Sequence, residues 1–458
     1  METRLAAAER EIALKDAVII GQLERIRELE VALEESRRGG KRQAAPFSKG
    51  QPEANPKRPG RKRGEGHGRH GHRMAPAVAP DRELDAGLPG CCPDCGGIVV
   101  CDRVEAQWQV DIPPAVTPTV TRFNVAVGRC HGCGRRVQGS HPEQTSQALG
   151  AAASAVGPTA KALASWLHYG LGLSFNKTAM VLARFGITLS AGAISQAAAA
   201  SASNELVPVH AELVAAANRS PTLTMDETGW RVGGEPGWMW VATNDSLTVY
   251  WVSAGRGFPD ATTVVDCDYP GIIIRDGWIV YGRYQAARHQ SCLGHLLRRC
   301  HQMEADLSGA DRRIPRAANA ILKDALAARE LDPAERDAAA AELAERLERL
   351  CARPAGHDAN RRLLAHLGRQ APAMFTFLTA DPGLHVDATN WKAETGIRPA
   401  VVNRKVWGGN RTWNGARTQG IISTIMRTAA QHGHDAVAYL ADRARSPDPR
   451  LAILLGPT

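Results

Sequence analysis

Four cysteines stand in two pairs, Cys92-Pro-Asp-Cys95 and Cys130-His-Gly-Cys133. Each pair places two thiolates on a tight turn, and two such knuckles supply the four tetrahedral ligands of a structural zinc ion. The 34 residues between the pairs exceed the usual ribbon spacing, and QWQVDI and TPTVTRFNVAV are read as strands crossing that gap, with Cys91 and Cys101 as substitute ligands. Elsewhere, Asp226 and Asp276 each close a β-branched or apolar run, TLTMD and GIIIRD. If those strands are neighbours, the two carboxylates emerge together at one edge of a sheet, where they repel unless cations lie between them. Hard divalent ions held by such oxygens activate a water or hydroxyl on one side of a phosphodiester and stabilise the leaving oxygen on the other. Taken singly, either aspartate also reads as a loop or cap residue, and spacing does not identify a third ligand.

The elements that must carry these groups follow from periodicity. TLTMD (222–226), WMWVATN (238–244), LTVYWVS (247–253) and GIIIRD (271–276) are strand-like, with Asn244-Asp245-Ser246 as the turn of a hairpin. Before them, KALASWLHYG, NKTAMVLARFG and SAGAISQAAAASAS read as short helices, Gly186 stopping the second and Ser190 capping the third. That arrangement is helix-turn-helix-like, although packing alone also uses it. After Cys300 helical patterning returns to about residue 375, with Asp332, Pro333 and Glu335 in capping order and Leu343, Leu347 and Leu350 on one face.

At the amino terminus, Leu5, Ile12, Ile19, Ile26 and Leu33 recur every seven residues. This favours a short coiled coil and self-association, or else one helix packed on the body. The segment from Arg37 to Arg73 holds twelve Lys or Arg against Glu53 and Glu65, so its net +10 accounts for the whole chain's +9. Such a concentrated charge attracts polyanions by counterion release, with a solubilising linker as the alternative. Its composition cannot bury enough surface to fold, and His67, His70 and His72 within it are given no metal role. With 458 residues and 44% hydrophobic composition, the chain fills two or three compact domains. It has no apolar run long enough to cross a membrane and no signal-peptide pattern, which points to the cytoplasm. Ten cysteines are too few for a disulfide scaffold in so long a chain.

The blocks MDETGW (225–230), IIIRDGW (272–278), CLGHLLRRC (292–300) and NWKAETGIRPAVVNRKVW (390–407) resemble the DDE transposases of the insertion sequence 66 family. In that family the third acid follows an Asn by four residues, then precedes Arg-Pro by four and five and Arg-Lys by ten and eleven. Asn390, Glu394, Arg398, Pro399, Arg404 and Lys405 satisfy every offset, which makes Glu394 the third acid by resemblance. The likeness implies a multidomain α+β protein around a ribonuclease-H-like mixed α/β core, with Asp226 on the first strand, Asp276 on the fourth and Glu394 on a helix after an α-helical insertion. It departs from the family at Thr395 and Val406, where Arg and Asn are usual.

The domains expected are a coiled-coil-like helix (1–38), a basic linker (39–88), a zinc-binding domain (89–137), a helical region (138–205), the catalytic core (206–300 and 376–430) interrupted by a helical insertion (301–375), and a tail (431–458). The implied activity is metal-dependent strand cleavage at insertion-sequence ends, followed by transfer of the 3′ hydroxyl to target DNA. Two magnesium ions on Asp226, Asp276 and Glu394, replaceable by manganese, would serve it. Zinc would sit on Cys92, Cys95, Cys130 and Cys133. Phosphate contacts are expected from Arg298, Arg299, Arg398, Arg404 and Lys405, with Cys292, His295 and Asn390 as accessory residues; Cys292 and His295 sit where the family has a Cys-x-x-His element beside the active site and are read as structural or as part of a local metal site. Trp407 and Trp413 are read as core residues. Partners are double-stranded DNA at the element ends and target, further copies of the chain, and accessory proteins of the same element. The competing classes are a DNA-binding protein without catalysis and a nuclease that only hydrolyses.

Overall fold

The computed structural model describes Gln22, 76–112, 116–150 and 155–445. The heptad stripe, the basic run with its three histidines and residues 446–458 lie outside the described residues. The chain divides into two compact units, Met1–Asp111 and Ile112–Thr458. In the first, residues 76–111 form no helix or strand, and the Cys92–Cys95 turn is closed by Gly96 N donating to Cys92 O at 2.9 Å and Cys92 N to Gly97 O at 2.8 Å.

The second unit opens with a two-stranded antiparallel ribbon, β1 (Val127–Arg129) and β2 (Arg136–Gln138), whose turn carries Cys130 and Cys133. The strands expected at QWQVDI and along TPTVTRFNVAV do not form; of the second run only its last residue, Val127, enters a ladder. Their apolar side chains, such as Val110 and Val120, stay exposed and gain nothing from pairing.

Four helices follow: α1 (Pro158–Ser165), which runs on into a wide turn through Gly170, α2 (Phe175–Arg184), α3 (Ala191–Ser203) and α4 (Val207–Arg219). Ser190 Oγ caps α3 by accepting from Ala193 N at 3.1 Å, and Gly186, at φ +73°, lets the chain leave α2. Helix α3 carries no charged residue and buries Ile194, Ala198 and Ala202.

A five-stranded mixed sheet holds the centre, in the order β5 (Thr248–Ser253), β4 (Glu235–Thr243), β3 (Thr222–Val232), β6 (Ile272–Arg275), β7 (Arg288–Ser291). Strands β3, β4 and β5 form an antiparallel meander, and β6 and β7 join in parallel. The β3–β4 turn is Gly233-Gly234, both at positive φ, as a two-residue hairpin requires. As expected, Asn244 organises the β4–β5 turn, its Oδ1 accepting from Ser246 N and Leu247 N at 2.9 Å each.

The helices α5 (Leu293–Asp306), α6 (Arg313–Ala327), α7 (Pro333–Cys351) and α8 (Asp358–Gln370) form a block whose core includes Ile272 and Ile274 of β6. Leu343, Leu347 and Leu350 are buried there, and Glu335 accepts from Asp332 N, as the capping order indicates. Two further helices, α9 (Trp391–Trp407) and α10 (Trp413–Gln431), pack on the sheet, and α11 (Ala436–Arg445) closes the described chain. Edge strand β5 is covered by α10: Thr424 Oγ1 accepts from Tyr250 N at 2.9 Å and Thr428 Oγ1 from Thr248 N at 3.2 Å. Through Ile421, Ile422 and Ile425, α10 also shares a core with α3, α4 and α11.

Candidate active site

Asp226 lies inside β3 rather than at its end. What ends near it is the parallel pairing to β6, whose last registered pair is Thr224 with Ile274, while β3 runs on to Val232 along β4. Two residues beyond that pair on each chain segment stand Asp226 and Asp276. Side chains alternate across a strand, so Asp226 shares the face of Trp230 and Val232, which pack with Ala393, Ile397 and Ala400 of α9. Glu394 occupies the first turn of α9, next to Ala393 of that core, and its charge acts on Asp226.

Asp226 also feels the charges of the other two acids. Burial, then the charge of Glu227, raises the Asp226 carboxyl to about 7; the fields of Asp276 and Glu394 push the same way, against one hydrogen bond from Glu227 N at 2.9 Å. Among the described residues no Lys, Arg or His forms an ion pair with Asp226. Asp276 Oδ1 accepts from Trp278 N at 2.8 Å, which fixes the turn leaving β6. Below it, buried Arg275 donates to Ser291 Oγ at 3.0 Å, to Gln370 and to Asp276 O.

Glu227, one residue after Asp226, points to the opposite face and is fully buried as a side chain. Arg256 Nε donates to its Oε1 at 2.7 Å, and the Tyr281 hydroxyl donates to its Oε2. The Arg256 guanidinium lies between the rings of Trp238 and Trp278, 4.7 and 4.0 Å from their centroids. Sequence reading missed this trio, although an acid adjacent to Asp226 on a strand must face the other side and there needs a cation.

Cys292 and His295 begin α5. His295 Nε2 lies 3.3 Å from Glu394 Oε1, and one ligand atom each of Cys292, His295 and Glu394 falls within 4.8 Å of the others. Burial would raise the Cys292 thiol, but hydrogen bonds from His295 and the Asn390 main chain bring it below its ordinary value. The ring of His295, in turn, is raised by Cys292. Asn390, ahead of α9, is fully buried, and neither its Oδ1 nor its Nδ2 has a partner.

The expected phosphate contacts divide. Arg398 and Lys405 fall four and eleven residues after Glu394, on its helical face, and both are exposed. Arg404 is turned toward β3, donating to Gly229 O and to Thr228 Oγ1 at 3.4 Å. Arg298 is exposed three residues after His295, and Arg299 borders a cavity of about 270 Å³ shared with Asp276, Trp278, Cys292 and His295. Trp407 is packed, stacking on His168 at 4.7 Å and meeting Trp230 edge-on, whereas Trp413 is half exposed. In the knuckles, Cys92 is held below its ordinary value by main-chain N–H groups of Cys95 and Asp94, and Cys130 by those of Cys133 and Gly132.

The family model described as Transposase IS66 family matches residues 153–418, more than half of the chain. The chain belongs to the IS66 family of transposases. The matched span begins five residues before α1 and ends within α10, so it contains the sheet, the helical block and all three acids. Membership assigns this transposase a role in transposition, with DNA as what it binds, and divalent metal use goes with it. No curated protein matches the chain. Among the described residues, no helix is long and apolar enough to cross a membrane.

Proposed function

We propose that this transposase cleaves DNA at the ends of its element and transfers the freed 3′ hydroxyl to target DNA, with Asp226, Asp276 and Glu394 as its metal-binding carboxylates. The observation that carries the reading is Asp226, raised to about 7 in a group of acids with no protein cation paired to it among the described residues. All three donors are hard carboxylate oxygens, which suits magnesium, or manganese in its place. Two such ions, when bound, would activate the attacking oxygen and stabilise the leaving one.

The chain's own residues do the rest. In this reading Asp226 and Asp276, each two residues beyond the last β3–β6 pair, and Glu394 in the first turn of α9 would hold the ions between them. Arg298, Arg299, Arg398 and Lys405 neutralise phosphates around this face, while Arg404 braces β3 beneath it. The strand order supports a ribonuclease-H-like core, with α6 to α8 as its insertion and the domain boundaries given above. The paired Cys-x-x-Cys spacing in the sequence is what carries the proposal of a structural zinc on Cys92, Cys95, Cys130 and Cys133. Residues 1–38 would pair copies of the chain.

Asp226→Asn, Asp276→Asn and Glu394→Gln should each lower magnesium-dependent cleavage and joining by about a thousandfold or more, with DNA affinity retained. An active Glu394→Gln protein would remove the third ligand from the scheme, and cleavage without joining would indicate a nuclease. For the zinc, elemental analysis of the Cys92→Ser, Cys95→Ser double variant should find one ion fewer per chain than in the parent; equal content would sink that assignment.

A further inference from the structure

We propose that Cys292, His295 and Glu394 form a binding site for a zinc-type ion, which shares the third catalytic carboxylate and so competes with catalytic magnesium. The competition rests on the reading of Glu394 given above; the binding does not.

The donor set is the first argument. A thiolate, an imidazole and a carboxylate suit zinc and are a poor set for magnesium, which prefers oxygen ligands and keeps its waters. Cys292 and His295 therefore add little to a magnesium centre, yet they sit against its third acid. Position is the second argument. Leu293 N donates to Ala388 O at 2.9 Å and Cys292 N to Arg275 O at 2.9 Å, so the start of α5 is tied both to the segment ahead of α9 and to β6. The three ligand atoms, within 4.8 Å of one another, need small rotamer changes to reach zinc distances of about 2.3 Å for sulfur and about 2.0 Å for nitrogen.

The Glu394 carboxylate already turns to the His295 ring, 3.3 Å away, a contact that the ion would replace. The cavity of about 270 Å³ bordered by Cys292, His295 and Asp276 offers a way in. Three protein ligands leave a fourth position for water or a phosphate oxygen. Binding displaces the Cys292 thiol proton to solvent, and no electrons are transferred.

Zinc titration of the purified full chain decides the matter. Cys292→Ser, His295→Gln and Glu394→Gln should each bind one zinc fewer per chain than the parent, with the ions of the paired cysteines retained. His295→Gln alters a partly exposed ring, so it keeps the test decisive if Cys292→Ser fails to fold. Millimolar magnesium should weaken the parent's zinc affinity at this site by about tenfold, and zinc should weaken magnesium's effect equally, as linkage demands. Parental zinc content in His295→Gln or Cys292→Ser overturns the site. Zinc affinity indifferent to magnesium or to Glu394→Gln overturns the sharing. An Asp226→Asn protein that still cleaved DNA would instead overturn the catalytic assignment, and the zinc count would still judge this one.

Discussion

Asp226 and Glu227 are consecutive acids on one strand, and the fold treats them in opposite ways. Glu227 is buried with Arg256 and the Tyr281 hydroxyl, a closed network whose charge is answered inside the protein. Asp226 faces other acids and is raised to about 7. A carboxylate satisfied by its own chain builds structure, whereas one left facing like charges is poised for a cation from solution. Period-two alternation alone separates the two roles.

The comparison can be broken most sharply by activity. Asp226→Asn should lose cleavage by about a thousandfold while its folding stability in metal-free buffer is unchanged or higher, because it removes a like charge. Glu227→Gln should do the reverse: urea denaturation should find it less stable by about 2 kcal/mol, since Arg256 loses its ionised partner. A stable Glu227→Gln protein together with an unstable Asp226→Asn would invert the two roles.

The next effect is in pH. Asp226 has a folded value of about 7, above the unfolded carboxylate value of about 3.9. The native state therefore binds more protons between these values. Its contribution to stability is fully present below about 3.9 and is lost as pH rises to and through about 7, with a slope of at most about 1.4 kcal/mol per unit. Thermal melts without metal should show this slope in the parent and lose it in Asp226→Asn; magnesium should flatten it near neutrality. A parent slope of the other sign would mean that Asp226 has a cation partner after all.

The smallest effect concerns DNA. Arg398→Ala and Lys405→Ala, on the helical face of Glu394, should each reduce the salt slope of DNA binding by roughly one, and Arg404→Ala should instead loosen β3 and cost stability. If Arg404→Ala alone changed the salt slope, the division among these cations would be wrong.

The local elements were legible in the residues because their signals are local. Ser190, Asp332 with Glu335, and Asn244 satisfy backbone groups within a few residues of themselves, and β-branched runs mark β3, β5 and β6. The first two acids were singled out because each follows a β-branched or apolar run, and the third by resemblance alone, since 118 residues of mostly helical chain separate Glu394 from Asp276. Tertiary structure decided what depends on a distant partner. Strand β3 passes Asp226 to reach Val232 because β4 pairs with it throughout, and α10 caps β5 with threonines that carry no such mark in sequence. Arg404 looks like its neighbour Lys405 until the helix face is known, and then about 100° of rotation turns it to Gly229 instead of solvent. The strands read across the cysteine gap did not form for the same reason, since a ladder needs a partner strand in register and, of those two runs, only Val127 enters one. Sequence by itself determined which acids, caps and knuckles exist; the fold decided which carboxylate is answered by the protein and which faces other acids, because burial and pairing are properties of neighbours that the chain brings together only on folding.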